Sequence, residues 1–214
     1  WWSLVWIFLE RTLKNNIWQK GVSISDRINT QYNEGAPSLS SDGQVLIFTA
    51  CEIGGEYGEG RSGVGSCDLF ITYKFGDEWD YPENIGDPVN TGQWESQPSY
   101  SADGKTIYFV RAQKDIYPGV KNSDIFYSEL DGKGNWSKPQ KIGDNINTPF
   151  QETSVLIHPD GQTLYFASNG HPGMGGLDIY MCRKDKDGKW GKPKNLGYPI
   201  NTNNDENSLL VSSS

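Results

Sequence analysis

Four glutamates are the first residues in this chain whose type and spacing could do chemistry. Glu34, Glu95, Glu152 and Glu206 each stand five positions after the Asn of an Asn-Thr pair, at Asn29, Asn90, Asn147 and Asn201. Gathered around one opening, such carboxylates can hold a cation or cationic side chains. Two of them roughly 5 to 9.5 Å apart can hydrolyse a glycosidic bond. That reaction needs two different environments, one to make an acid and one to make a base, and equivalent residues in equivalent surroundings do not supply them. The alternative role is structural: each Glu accepts backbone N–H bonds where its own segment begins.

Other chemistries find less support. No G-x-S-x-G occurs, and His158 and His171 are the only imidazoles available as bases. His158 lies in a turn. His171 lies in the Gly-rich "SNGHPGMGGLD", which lacks the Lys-Ser/Thr ending of a phosphate loop and joins two strands. At 185–189, "DKDGK" resembles half of a calcium loop without its closing acidic ligand, so a turn is expected. The sequence therefore predicts no catalytic residue, no metal site and no cofactor.

The spacing of the glutamates is shared by other residues. From copy to copy the Asn-Thr pairs step by 61, 57 and 54 positions, and Trp18, Trp79, Trp136 and Trp190 keep the same steps, eleven positions before each Asn. Asp68, Asp124 and Asp178 precede the last three Trp, and Asp42-Gly43, Asp103-Gly104 and Asp160-Gly161 mark turns. A repeat of this length, near that of kelch units, predicts propeller blades. Within each copy, "QVLIFTA", "KTIYFV" and "QTLYFA" are nearly continuous apolar runs, as expected of strands covered on both faces. The Asp-Gly hairpins, a third strand beginning at the Asp and a short Pro-containing fourth strand complete four antiparallel strands per unit.

The expected fold class is therefore all-β: a β-propeller of four-stranded antiparallel blades, incomplete in this chain. The boundaries expected are the outer strands of a partial blade over 1–30, blades over 31–86, 87–143 and 144–197, and the first strand of a next blade over 198–214. The opening "WWSLVWIFLE" is broken at Glu10 and has no basic n-region. It is read as strand rather than leader or membrane span, with Trp6 in the place of the repeated Asp. Each repeated Trp is expected to fill the wedge between blades, with its indole N–H bonded to the repeated Asp or to a carbonyl. The Asn of each Asn-Thr pair is expected to close a local turn.

Composition bounds the partners. With 214 residues the chain suits one large β domain. A formal charge of −8, from 19 basic and 27 acidic residues without a Lys/Arg cluster, disfavours nucleic acid. Cys51 ends the second strand of the first full blade and Cys67 opens its third, so the hairpin brings them together. A disulfide there would close the loop "EIGGEYGEGRSGVGS" and contribute about 3 kcal/mol in an oxidising compartment. Cys182 aligns with Thr72 and Ser128 as an unpaired strand residue.

The stretches "NEGAPSLSSDGQVLIFTAC", "WESQPSYSADGKTIYFVR" and "HPDGQTLYFASNGHPGMGGLDIY", the last followed by "WGKPKNLGYPINT", resemble the WD-repeat-like propeller of the Tol-B type. They are similar, more closely, to the propeller of OmpA-family envelope lipoproteins in bacteria that use type IX secretion. The resemblance covers about residues 17–214. It implies a periplasmic, non-catalytic interaction module that binds an envelope protein and is tethered to the outer membrane in a longer protein. Peptidoglycan would be reached only through other domains, and this segment would not insert in the membrane. Two alternatives remain open: a glycan-binding or glycan-cleaving propeller that uses the Glu ring and surface aromatics, and a propeller that gates a hydrolase domain elsewhere.

Overall fold

The computed structural model describes residues 7–113 and 122–211, and these form a β-propeller of antiparallel blades. The outer part of one blade comes first, with Leu9–Glu10 (β1), Leu13–Lys14 (β2), Ile17–Trp18 (β3) and Val22–Ser23 (β4). The first full blade holds Asn33–Leu39 (β5), Val45–Cys51 (β6), Cys67–Phe75 (β7), Glu78–Trp79 (β8) and Glu83–Asn84 (β9). In the second are Trp94–Tyr100 (β10), Thr106–Gln113 (β11), Asn122–Glu129 (β12) and Gln140–Lys141 (β13). Glu152–Ile157 (β14), Thr163–Ser168 (β15), Asp178–Arg183 (β16) and Lys194–Asn195 (β17) make the third. The strand expected over the first six residues lies outside the described residues.

Each full blade runs antiparallel from the inner strand outward, as β14-β15-β16-β17 does. Its fourth strand is interrupted. Pro82, Pro139 and Pro193 stand just before β9, β13 and β17, where a missing N–H is tolerated at the outer edge. On the far side of each Pro the Trp pairs with the tail of the third strand: Lys74 with Trp79, Leu130 with Trp136, and Lys184 with Trp190. Neighbouring blades join through single parallel bridges, Trp94 to Cys67 and Ser123 to Gln151.

The apolar runs of the second strands divide their side chains between two cores, because a strand faces opposite ways at alternate residues. Leu46, Phe48 and Ala50 pack with Ile28, Phe70 and Trp79 toward the preceding unit. In the second blade, Ile107 and Phe109 pack with Leu69 and Val89 on one side, while Tyr108 and Val110 pack with Val155, Leu164 and Phe166 on the other. The cores thus lie between blades, and continuous apolar runs are what a strand covered twice requires. The repeated Trp follow the same rule. Trp79 is buried, and Trp136 and Trp190 are half-buried against Tyr100 and Tyr108. Trp18 departs from it, being 65% exposed on the first outer hairpin.

Inner strands touch their neighbours through serine hydroxyls. Ser38 Oγ accepts the Tyr100 N–H at 2.9 Å, and Ser99 Oγ accepts the Ile157 N–H at 2.9 Å. The same position in the third blade is Leu156, so that clasp is not repeated. Near the start of each inner strand the register shifts, with Ala36 and Gln97 at φ of 49° and 54°. These are left-handed conformations that non-glycine residues adopt sparingly.

Candidate functional site

The four glutamates close the turns from which their own inner strands start. In every copy the Thr of the Asn-Thr pair donates twice to the Glu. Its N–H reaches Oε2 at 3.2, 3.1, 3.1 and 3.0 Å for Glu34, Glu95, Glu152 and Glu206. Its hydroxyl reaches Oε1 at 2.6, 2.6, 2.9 and 2.6 Å. Glu34, Glu95 and Glu152 are at most 1% exposed. The structure therefore gives these carboxylates the backbone-bracing role and buries three of the four.

A buried carboxylate without a cation is costly, and the first two full blades supply one. Arg61 Nη1 donates to Glu34 Oε1 at 2.8 Å, and its Nη2 reaches the carbonyls of Arg27 and Ile28 at 3.0 and 2.6 Å. Arg111 Nε donates to Glu95 at 2.6 Å and its Nη2 to the Val89 carbonyl at 2.7 Å. Both guanidinium groups lie over an aromatic pair: Arg61 is 5.4 and 5.8 Å from Phe48 and Phe70, and Arg111 is 5.5 and 4.9 Å from Phe109 and Phe126. Arg111 projects from the residue paired directly with Glu95. Ala50 is paired with Glu34, and its small side chain leaves room for Arg61 to arrive from the long loop.

In the third blade the two tasks of the arginine are divided. Ser168, paired with Glu152, donates its hydroxyl to Oε1 at 2.8 Å. His171 Nε2 lies 2.8 Å from the Ile146 carbonyl, with its ring 5.7 Å from Phe166 and 5.1 Å from Tyr180. Burial pushes the Glu152 carboxyl up to about 7, against the bonds from Thr148 and Ser168, and Asp124 adds to the rise. Burial raises Glu95 as well, but Thr91 and Arg111 pull it back.

The other landmarks have roles the sequence did not assign them. Each Asn amide brackets one residue of a third strand in the preceding blade, accepting its N–H and donating to its C=O. Asn90 does this to Leu69 at 2.9 and 2.8 Å, and Asn201 to Ile179 at 2.8 and 2.9 Å. The local turn is closed by Thr instead, whose hydroxyl accepts the N–H two residues on, as Thr30 does from Tyr32 at 3.0 Å. Asn29 brackets Phe8 at 2.8 Å, so the residue in the place of the repeated Asp is Ile7; Trp6 lies outside the described residues. The repeated Asp do not serve the indoles in the way expected. Asp68 accepts the N–H groups of Val64 and Gly65 at 2.7 and 3.1 Å, and Asp178 those of Met174 and Gly175 at 2.7 and 3.2 Å. Asp124 pairs with Lys141 at 2.7 Å. Asp68 and Asp178 thus tie down loops.

Cys51 and Cys67 are direct partners in the β6–β7 ladder and form a disulfide. Cys182 is a free, buried strand residue whose thiol burial pushes up to about 12. Asp185 uses its carboxylate on the N–H groups of Asp187 and Lys189 at 2.9 and 3.0 Å, which makes "DKDGK" a turn.

One cleft combines aromatic and polar groups. It holds about 490 Å³ at the outer seam of the second and third blades, where Tyr127 and Trp190 face Glu129, Asn145 and Lys189. Asn145 closes its base by donating to the carbonyls of Trp190 and Gly191, both at 2.8 Å.

No family model matches this chain, and no curated protein sequence does. Solved structures with similar architecture include the tricorn protease, at 11% identity and a TM-score of 0.46, over 82% of this chain and 19% of that one. A prolyl endopeptidase structure is similar at 17% identity and a TM-score of 0.48, over 85% of this chain and 25% of that one. An α-L-arabinofuranosidase from Lactobacillus brevis is similar at 19% identity and a TM-score of 0.45, over 74% of this chain and 54% of that one. The chain thus spans a fifth to a quarter of the first two and about half of the third. A shared fold at this level says nothing of a shared activity.

Proposed function

We propose that this chain is a non-catalytic protein-interaction scaffold, the propeller module of a periplasmic, outer-membrane-tethered lipoprotein of the OmpA family. The observation that carries the non-catalytic reading is the placement of the glutamates. Each is bonded within its own turn, and Glu34, Glu95 and Glu152 are at most 1% exposed. The quoted sequence resemblance supports the envelope location, and the Cys51–Cys67 bridge agrees with an oxidising compartment. An envelope protein would be engaged through the loops, which a rigid β scaffold presents to partners.

Photo-crosslinking from Ile53 and Val64, which are 46% and 64% exposed on the stapled loop, tests this in the native envelope. A discrete adduct with one envelope protein, competed by purified propeller, is the expected result. Adducts spread evenly over abundant proteins would contradict it. A glycan-binding reading is favoured by one observation, the Tyr127–Trp190 cleft, because aromatic faces beside polar side chains suit sugars. A glycan screen with a hydrolysis readout separates the two. Binding lost in Trp190→Ala supports the second reading, and cleavage lost in Glu95→Gln or Glu152→Gln would overturn the first.

A further inference from the structure

The three full blades share one junction plan, and the third carries out that plan with groups of a different kind. Glu34 and Glu95 are held against guanidinium groups, which keep their charge at every relevant pH. At Glu152 the hydroxyl of Ser168 takes the carboxylate contact, and His171 takes the carbonyl contact and the place over the aromatic pair. A hydroxyl cannot neutralise a carboxylate.

We propose that the third blade junction is a proton-operated joint, closed when Glu152 is neutral and loosened when it ionises with no guanidinium beside it, while the two arginine-braced junctions stay shut. The consequence is positional. Ser168, which donates to Glu152, directly precedes the loop that begins at Asn169, so loosening of that contact frees the start of the loop. The scaffold would then present a different surface on the third blade in acid than at neutral pH.

The surroundings of Glu152 favour this response. Among the described residues no Lys or Arg bonds it; its partners are Thr148 and Ser168, and Ser123 donates to its backbone carbonyl at 2.7 Å. Of the charged groups on the elements packed against it, Asp124 is paired with Lys141, Arg111 is bonded to Glu95, and Asp178 holds the N–H groups of Met174 and Gly175. Asp124 opposes ionisation of Glu152. The sign follows from the folded pKa lying above the unfolded one. The contribution of Glu152 is fully present below about 4.5 and is lost as pH rises to about 7.

Backbone hydrogen exchange on the whole chain, expressed as protection factors at about pH 5 and about pH 8, tests the proposal. Protection of β14 and β15 should fall about 10- to 100-fold between the two, with β5, β6, β10 and β11 changing little. In Glu152→Gln the fall should vanish. Equal pH responses in all three blades would overturn the proposal, as would an undiminished response in Glu152→Gln. Should that variant fail to fold, a carbon-13 carboxyl titration of the unaltered chain decides: Glu152 titrating together with the exposed glutamates would also overturn it.

Discussion

The first two full blades hold a buried glutamate against an arginine, whereas the third holds its glutamate against a serine hydroxyl with a histidine alongside. The difference teaches what the glutamate is for. Its two bonds to the Thr of its own turn recur in every copy, including the third, so the carboxylate is retained for the shape of the junction. The charge partner is negotiable, and it arrives from a loop in one blade and from a strand in the next. A repeat that keeps one half of a buried pair and varies the other builds junctions of equal geometry and unequal electrostatics.

Removing the arginine should have the largest effect. Arg111→Ala leaves Glu95 buried and uncompensated and should cost about 3–5 kcal/mol in urea unfolding. Ser168→Ala, the matching change in the third blade, should cost only about 1 kcal/mol. Equal losses would erase the distinction between the junctions. Next in size is the staple that holds the loop carrying Arg61. Cys51→Ser with Cys67→Ser should cost about 3 kcal/mol, and exchange protection should drop in β5 and β6 while β14 and β15 are unchanged. Smallest is the hydroxyl clasp between inner strands. Ser99→Ala deprives the Ile157 N–H of its acceptor and should cost about 1 kcal/mol, whereas Leu156→Val at the same place in the third blade should leave its neighbour's hydrogen bonding intact.

Much of this architecture was legible because it recurs. Several landmarks keeping one register identify the blade, and the hairpin arithmetic places Cys51 opposite Cys67. Continuous apolar runs in the second strands announce burial on both faces. What stayed hidden was whatever does not recur or acts at long range. Arg61 and Arg111 occupy no common repeat position, so nothing periodic marks them. The usable signal was physical instead: a Glu at a buried strand start needs a cation, and "YFVR" offers one where the other copies have "FTA" and "YFAS". The Asn residues read as local turn formers because the short-range propensity of Asn is well marked. Their actual partners lie 21 or 22 residues away, across a blade boundary that local preference cannot see. The repeated Asp read as acceptors for the indoles, whereas Asp68 and Asp178 accept N–H groups of the Gly-rich loops beside them.

The central claim is that the recurring glutamates are internal braces and not surface acids. Carbodiimide coupling of an amine to the folded chain, read residue by residue by mass spectrometry, tests it most directly. Glu78, whose side chain is 79% exposed, should label readily together with Glu52 and Glu59, while Glu34, Glu95 and Glu152 stay unmodified until the chain is unfolded. Labelling of those three at the rate of Glu78 would contradict the account.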